Sequence, residues 1–401
     1  MPASIALPGE FAAKPAAAPA VESARFTLDG SDELEHHLAY TCLKVLEGIQ
    51  SVLPSHKIEA LLLGGGYGRG EGGVLKTESS DQPYNDLEFY VFIRGNNWLN
   101  ERRFGRALQH LAHELAPEAG VEVELKIISS RKLRRSPASM FYYDLVTAHR
   151  RLLGDEKLLA SCEHHRNAQN IPLSEAMRLL MNRCSGLLFA REKLEHTVFT
   201  PADADFVCRN LAKAQLAFGD AVLTVYGQYH WSCLRRHERV RQLPGTSFPW
   251  LDTLRQHHAA GVKFKLHPHQ TTLTQAALMA QYKSVAAFAL KTWLWLENRR
   301  LGFHFTSVHD YAFSLLNKCP DTNPWRNRLV NAKAFGLGAF FSERGCRHPR
   351  ERIVNALTVM LWEPLTVDSE IWSWLSDELQ WPLRSATDQV KVYQQRWRQL
   401  S

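Results

Sequence analysis

Two acids, Asp86 and Glu88, stand two positions apart in the segment Asp86-Leu87-Glu88-Phe89-Tyr90-Val91-Phe92-Ile93. Upstream of them lies the glycine block Gly64-Gly65-Gly66-Tyr67-Gly68-Arg69-Gly70-Glu71. Side chains two apart on a strand project to the same side. Like charges held that close raise one another's pKa unless a cation lies between them. A hard divalent ion with oxygen ligands, Mg²⁺ above all, resolves the repulsion. Glycine lets the backbone take positive φ, and successive N–H groups in such a turn form an anion-binding concavity. A phosphate cradle beside two metal ions about 3.5–4 Å apart is what phosphoryl or nucleotidyl transfer requires. A further carboxylate is available from the alternating segment Val121–Ile128, where Glu122 and Glu124 share a face. Glu124, flanked by Val123 and Leu125 and deeper in the segment, is the expected third ligand or general base, with Glu122 in reserve. A face made of Glu122, Glu124 and Lys126 equally suits a solvated surface.

These residues need elements to hold them. Ser31 is placed to cap a helix running to Val52, with Asp32 and Glu33 in its first turn and Leu34, Leu38, Cys42, Val45 and Ile49 at helical spacing. Ile58–Leu63 reads as a buried strand that stops at the glycines, 86–93 and 121–128 as further strands, and Trp98–Leu115 as a helix. Residues 77–83 read as a loop, which excludes the dinucleotide-binding reading of Gly68, Gly70 and Gly73, because that motif must open a helix. No Gly-Lys-Ser/Thr ends the cluster, so a P-loop is excluded too.

Beyond about residue 150 the periodicity becomes helical, over 173–195, 203–226 and 272–299, and in shorter stretches near 307–317, 350–362, 370–380 and 385–400. The stretch 234–268, rich in His, Arg and Gly, reads as loop. The expected class is α+β: a small mixed sheet with flanking helices, then an all-helical region. The expected divisions are an Ala/Pro-rich disordered tail over 1–28, a catalytic domain over 29–160, a helical domain over 161–300 and a helical extension over 301–401.

The glycine turn, the acid–apolar–acid strand and the third acid resemble the polymerase β-like nucleotidyltransferase superfamily. The string Gly65 to Glu71 is similar to the turn of bacterial protein uridylyltransferases. The motifs Met181-Asn182-Arg183, Lys213-Ala214 and Gly219-Asp220 resemble the helical partner of small-substrate nucleotidyltransferases. The resemblance implies a two-metal transfer of a nucleoside monophosphate from a nucleoside triphosphate to an acceptor, with release of pyrophosphate. It implies two Mg²⁺ ions on Asp86, Glu88 and Glu124, and a nucleotide site formed by Gly65, Gly66, Tyr67, Gly68, Arg69 and Gly70. Gly65 and Gly66 would contact the triphosphate, and Arg69 would support the turn or a phosphate. The acceptor, whether small molecule, protein or RNA, is left open. The spacer 72–85 is longer than the family's usual one, and the second and third acids are Glu. A catalytically inactive nucleotide sensor and a toxin–antitoxin-type interaction protein are the alternatives.

Composition restrains the rest. The 401 residues carry a net charge of +7 and are 45% hydrophobic, which permits an anionic partner without demanding one. Seven cysteines without a C-x-x-C pair point to reduced, buried thiols in a cytoplasmic setting. The most apolar run, 285–296, is broken by Lys291 and suits a buried helix rather than a membrane span. His164-His165 and His267/His269 lack zinc-ligand spacing and are expected at the surface. Trp293, Trp295, Trp362, Trp372, Trp374 and Trp381 fall at helical spacings and are expected in the core.

Overall fold

The computed structural model describes residues 25–246, 248–363, 370–381 and 386–400. The expected tail lies outside the described residues as far as position 24. From Arg25 the chain is already packed. Phe26 is buried, Thr27 bridges to Gly72, and Glu35 accepts hydrogen bonds from the N–H groups of Phe26 (2.6 Å) and Thr27 (3.0 Å).

Helix α1 (Asp32–Val52) starts where expected, with the Ser31 side chain accepting from the Leu34 N–H. Its stripe of Leu34, Leu38, Val45 and Ile49 is fully withdrawn from water, which stabilises by about 1.5–3 kcal/mol per side chain. Strand β1 (Ile58–Leu63) follows, then a single helical turn α2 (Gly65–Gly68), a hairpin of β2 (Val74–Lys76) and β3 (Asp81–Pro83), and strand β4 (Leu87–Ile93). The expected loop over 77–83 is thus partly strand: the Thr77–Ser80 turn closes on itself, Thr77 N–H to Ser80 O at 3.1 Å, and lets the short flanking runs pair. Helix α3 (Asn97–Ala119) ends on Gly120 at φ 71°, which returns the chain into β5 (Val123–Ile128). Short helices α4 (Ser130–Arg135) and α5 (Met140–Thr147) lead to β6 (Arg150–Gly154).

The sheet order is β5–β4–β1–β6. Strand β1 is antiparallel to β4 and β6, and β4 is parallel to β5, the crossover being α3. One face, with Leu61, Leu63, Phe89 and Val91, packs on α1 and α3. The other, with Leu62, Tyr90 and Phe92, packs on Leu133, Leu145 and Val146 of α4 and α5. Glu88 belongs to this second face.

The rest is helical: α6 (Leu173–Leu194), α7 (Pro201–Val225), α8 (Cys233–Gln242), α9 (Leu251–Leu266), α10 (Gln275–Leu301), α11 (Val308–Phe313), α12 (Pro324–Phe335), α13 (Leu337–Phe341), α14 (Arg350–Trp362), α15 (Glu370–Leu379) and α16 (Ala386–Leu400). The class is α+β with a small mixed sheet and a helical C-terminal region, as expected. One apolar core runs from Ala176 to Leu400 and crosses residue 300, with Leu296, Phe305 and Val308 together. No described helix is long and apolar enough to cross a membrane. Of the six tryptophans expected in the core, Trp293, Trp295, Trp362, Trp372 and Trp374 are in or against it, and Trp381 is exposed.

The loop expected over 234–268 is replaced by α8 and α9. Their buried faces carry Arg236 and His258 among apolar residues, so hydrophobic periodicity alone underestimates them. Helix α12 packs Val330, Ala334 and Phe335 on the core but also turns two asparagines inward. Asn327 and Asn331 face inward and donate to the carbonyls of Cys346 (2.9 Å), Gly345 (3.0 Å) and Arg347 (2.8 Å). Trp325 and Leu329, on the opposite side, are 73% and 64% exposed.

Candidate active site

In-register pairing of β4 with β5 sets Glu88 directly beside Glu124. Asp86, two residues before Glu88, enters the same group, and one carboxylate oxygen from each of the three lies within 4.8 Å of the others. Glu122 is exposed and outside this group, although its carbonyl accepts the Leu87 N–H at 2.9 Å. Burial raises the Asp86 pKa, and the charges of Glu88 and Glu124 raise it further. The Lys126 ammonium is ion-paired with Glu124 and lies 5.9 Å from the centre of the Tyr90 ring. Burial works against its charge, but Glu124, Glu88 and Asp86 raise its pKa overall. Tyr90 donates its hydroxyl proton to Glu88 at 2.7 Å. Three convergent oxygens, strained by mutual repulsion and partly offset by a lysine, form a donor set that fits a hard divalent cation.

The glycine turn abuts this group because β1 runs antiparallel to β4: the Gly64 N–H donates to the Glu88 carbonyl at 2.9 Å. Gly65 has φ 61°, and a Cβ there would stand 3.4 Å from the Glu88 Oε2. At Gly68 a Cβ would lie 2.1 Å from the Leu63 carbonyl oxygen. Gly68→Ala is therefore expected to cost about 3 kcal/mol or more by forcing the turn off the end of β1. Gly105→Ala, where a Cβ meets only the flexible Glu101 carboxylate at 3.4 Å, should be neutral or stabilising. Comparing urea midpoints of the two variants checks this; equal midpoints would contradict the packing argument.

Two side chains of the turn point away from the acids. Tyr67 is buried beneath it, donating to the Gly73 carbonyl (2.8 Å) and accepting from the Tyr84 N–H (2.9 Å), which ties the hairpin to the turn. Arg69 ion-pairs with Asp144 of α5 at 3.0 Å. Of the two roles expected for Arg69, this geometry is that of a support for the turn.

Glu71, the last residue of the motif, is 4% exposed and caps α8. It accepts from the Cys233 N–H at 2.8 Å and from the Ser232 hydroxyl. Burial acts against ionisation, yet these hydrogen bonds hold its pKa below the usual value. Asp144 also accepts from Tyr229 (3.3 Å), and Arg236 pairs with Asp220 at 2.7 Å, where His258 approaches at 3.3 Å. This buried polar seam joins the sheet half to the helical half. None of Glu71, Asp144, Tyr229, Arg236 or His258 was singled out for it in the sequence. The pattern signal available was only that Arg236 and His258 fall on the apolar faces of α8 and α9.

The seam leaves a cleft of about 510 Å³. One wall is formed by residues just before β4 and β5, namely Tyr84, Asn85, Asp86 and Glu122. The other carries Arg183, Arg209, Lys213 and Lys265 from α6, α7 and α9. Burial lowers the pKa of Lys213, and Arg183 lowers it further against the pull of Asp86. The candidate zinc ligands do not converge. His165, expected at the surface, is instead fully buried with Nε2 2.9 Å from the Leu133 carbonyl, whereas His164 and His269 are exposed. Among the described residues the cysteines are all free thiols, five of them buried.

No protein-family model matches the chain, and no curated protein does. Among solved structures it is similar to a spectinomycin adenyltransferase from Enterococcus faecialis, determined with ATP and spectinomycin. Identity is 13%, the match covers 62% of this chain and 97% of that one, and the TM-score is 0.35. A likeness of that degree transfers neither substrate nor mechanism from one chain to the other.

Proposed function

We propose that the protein is a metal-dependent nucleotidyltransferase that moves a nucleoside monophosphate from a nucleoside triphosphate to an acceptor hydroxyl and releases pyrophosphate. The observation that carries this reading is the meeting of Asp86, Glu88 and Glu124 within 4.8 Å, next to a turn in which Gly64, Gly66 and Gly68 leave no room for a side chain. Two Mg²⁺ ions bound there supply charge neutralisation for the attacking and leaving oxygens.

The chain's own groups do the rest. Asp86 and Glu88 hold the metals. Glu124 completes the set and accepts the acceptor's proton. The turn Gly65, Gly66, Tyr67, Gly68, Arg69 and Gly70 cradles the triphosphate through its backbone, with Tyr67 and Arg69 fixing its shape from beneath. Lys126, paired with Glu124 in the metal-free protein, neutralises the acids until metal enters. Lys213, whose pKa Asp86 raises against burial, belongs to the helical wall, which supplies the acceptor pocket.

The test is Mg²⁺-dependent pyrophosphate release from each of the four ribonucleoside triphosphates, with transfer of α-phosphate label into fractionated cell lysate. Glu124→Gln is expected to lower kcat on the order of 10²–10⁴-fold, the usual weight of a general base. Glu122→Gln should change it less than about tenfold. If the larger loss follows Glu122, the third carboxylate is misassigned; release that persists in EDTA rejects the reading altogether.

A further inference from the structure

Arg183, Arg209, Lys213 and Lys265 line one cleft, and among the described residues none of them forms an ion pair. Arg183 and Lys265 are half-buried and Arg209 and Lys213 open to the cleft, whereas the nearby Arg236 and Arg69 are matched, with Asp220 and Asp144. Four cations therefore face only three acids across the cleft. Asp86 belongs to the carboxylate group, and Asp220 is already engaged by Arg236 and His258. Glu122 alone remains to oppose them. Burial lowers the pKa of Arg183, Lys213 and Lys265, and neighbouring cations lower it further at Lys213 and Lys265.

The position of this charge matters as much as its amount. The glycine turn is not part of the cleft wall, whereas Asp86 is, so the carboxylate group meets the cleft through Asp86. In an in-line displacement the attacking oxygen and the leaving pyrophosphate occupy opposite sides of the α-phosphorus. With the pyrophosphate on the turn, the attacking oxygen approaches from the cleft. The volume of about 510 Å³ is that of a small-molecule site. Its two aromatics, Tyr84 and Phe264, are packed edge-to-face on each other at 5.9 Å and offer no open platform for stacking successive bases.

Resting on the nucleotidyl-transfer reading, we propose that the acceptor is a small anionic molecule, a hydroxyl compound bearing a phosphate or carboxylate, held through that anion by Arg183 and Arg209. Its hydroxyl oxygen forms the new bond to the α-phosphorus, and the bond from that phosphorus to the bridging oxygen breaks. The electron pair leaves with pyrophosphate, and the hydroxyl proton passes to Glu124.

The test uses the full chain with Mg²⁺ and the α,β-methylene analogues of the four triphosphates, whose binding is first established by calorimetry. Inorganic phosphate, glucose 6-phosphate, glucose, glucosamine and a 5′-phosphorylated ribo-oligonucleotide are then titrated into the loaded protein. Inorganic phosphate and glucose 6-phosphate are expected to bind the loaded protein, the sugar phosphate at least tenfold tighter than glucose or glucosamine. Arg183→Ala and Arg209→Ala should each weaken that binding about tenfold while moving nucleotide affinity less than threefold. The proposal is overturned if phosphate and sugar phosphate fail to bind or displace the nucleotide, if glucosamine binds best, or if the oligonucleotide alone binds. It is also overturned if the two variants weaken nucleotide binding instead. Absence of Mg²⁺-dependent binding by all four analogues marks failure of the nucleotidyl-transfer reading itself.

Discussion

Exchanging Asp86 for Asn together with Glu88 for Gln is expected to abolish Mg²⁺-dependent pyrophosphate release, on the order of a thousandfold or more, in a protein that still folds. The exchange keeps size and hydrogen-bonding capacity while removing two of the three charges within 4.8 Å. Losing charge that acts on the reacting atoms has costs of this order or greater. Stability should move the other way. In the metal-free protein the Asp86 carboxyl is held above its ordinary value of 3.8 by burial and by Glu88 and Glu124. A carboxyl whose folded pKa is raised contributes stability at low pH and loses it as pH rises through the raised value. The wild type without metal should therefore lose stability across that interval. The double variant should lack this slope and melt higher at neutral pH. Pyrophosphate assays and thermal melts with and without EDTA check both halves; undiminished activity in the folded double variant would remove the metals from Asp86 and Glu88.

Arg69→Met is expected to be among the most destabilising single changes outside the apolar core. It strands the Asp144 carboxylate, whose remaining neighbours are the Tyr229 hydroxyl at 3.3 Å and the more distant Arg236. Breaking a buried ion pair from one side costs about 3–5 kcal/mol, whereas replacing both partners by apolar groups is often close to neutral. Arg69→Met with Asp144→Leu should consequently recover much of the loss, a coupling that a double-mutant cycle of urea midpoints reads directly. A single-variant cost below about 1 kcal/mol would show that the pair does not hold the turn. Glu71 adds an acid-side signature. Its pKa is lowered from 4.5, so its contribution is complete above that value and is lost as pH falls through the lowered one. The contact between the glycine turn and α8 should loosen there.

Much of the sheet half is legible in the sequence because local signals agree with one another. Ser31 and the acids after it mark the start of α1, the run Ile58–Leu63 stops at the glycines, and the alternation around Glu88 and Glu124 fixes which side chains share a face. What escapes is set by contacts distant in sequence. Strand β6 is recognisable only by its pairing with β1. Helices α8 and α9 bury Arg236 and His258, whose partners lie on α7, so their composition imitates a loop. The sequence favours Glu124 over Glu122 for its depth in the segment, and the structure brings it to Asp86 and Glu88; what the sequence lacks is the β4–β5 register that sets it beside Glu88. The cleft cations come from three helices spread over more than eighty positions, and only Arg183 and Lys213 belong to recognisable motifs.

The inward asparagines of α12 bear on how the molecule behaves in solution. Inward asparagines bound to three carbonyls prevent the helix from rolling, so the indole of Trp325 and the isobutyl group of Leu329 stay wetted. Sulfate and other ions excluded from protein surfaces raise the free energy of such hydrated apolar area. Salting-out should therefore act early on this exposed face of α12.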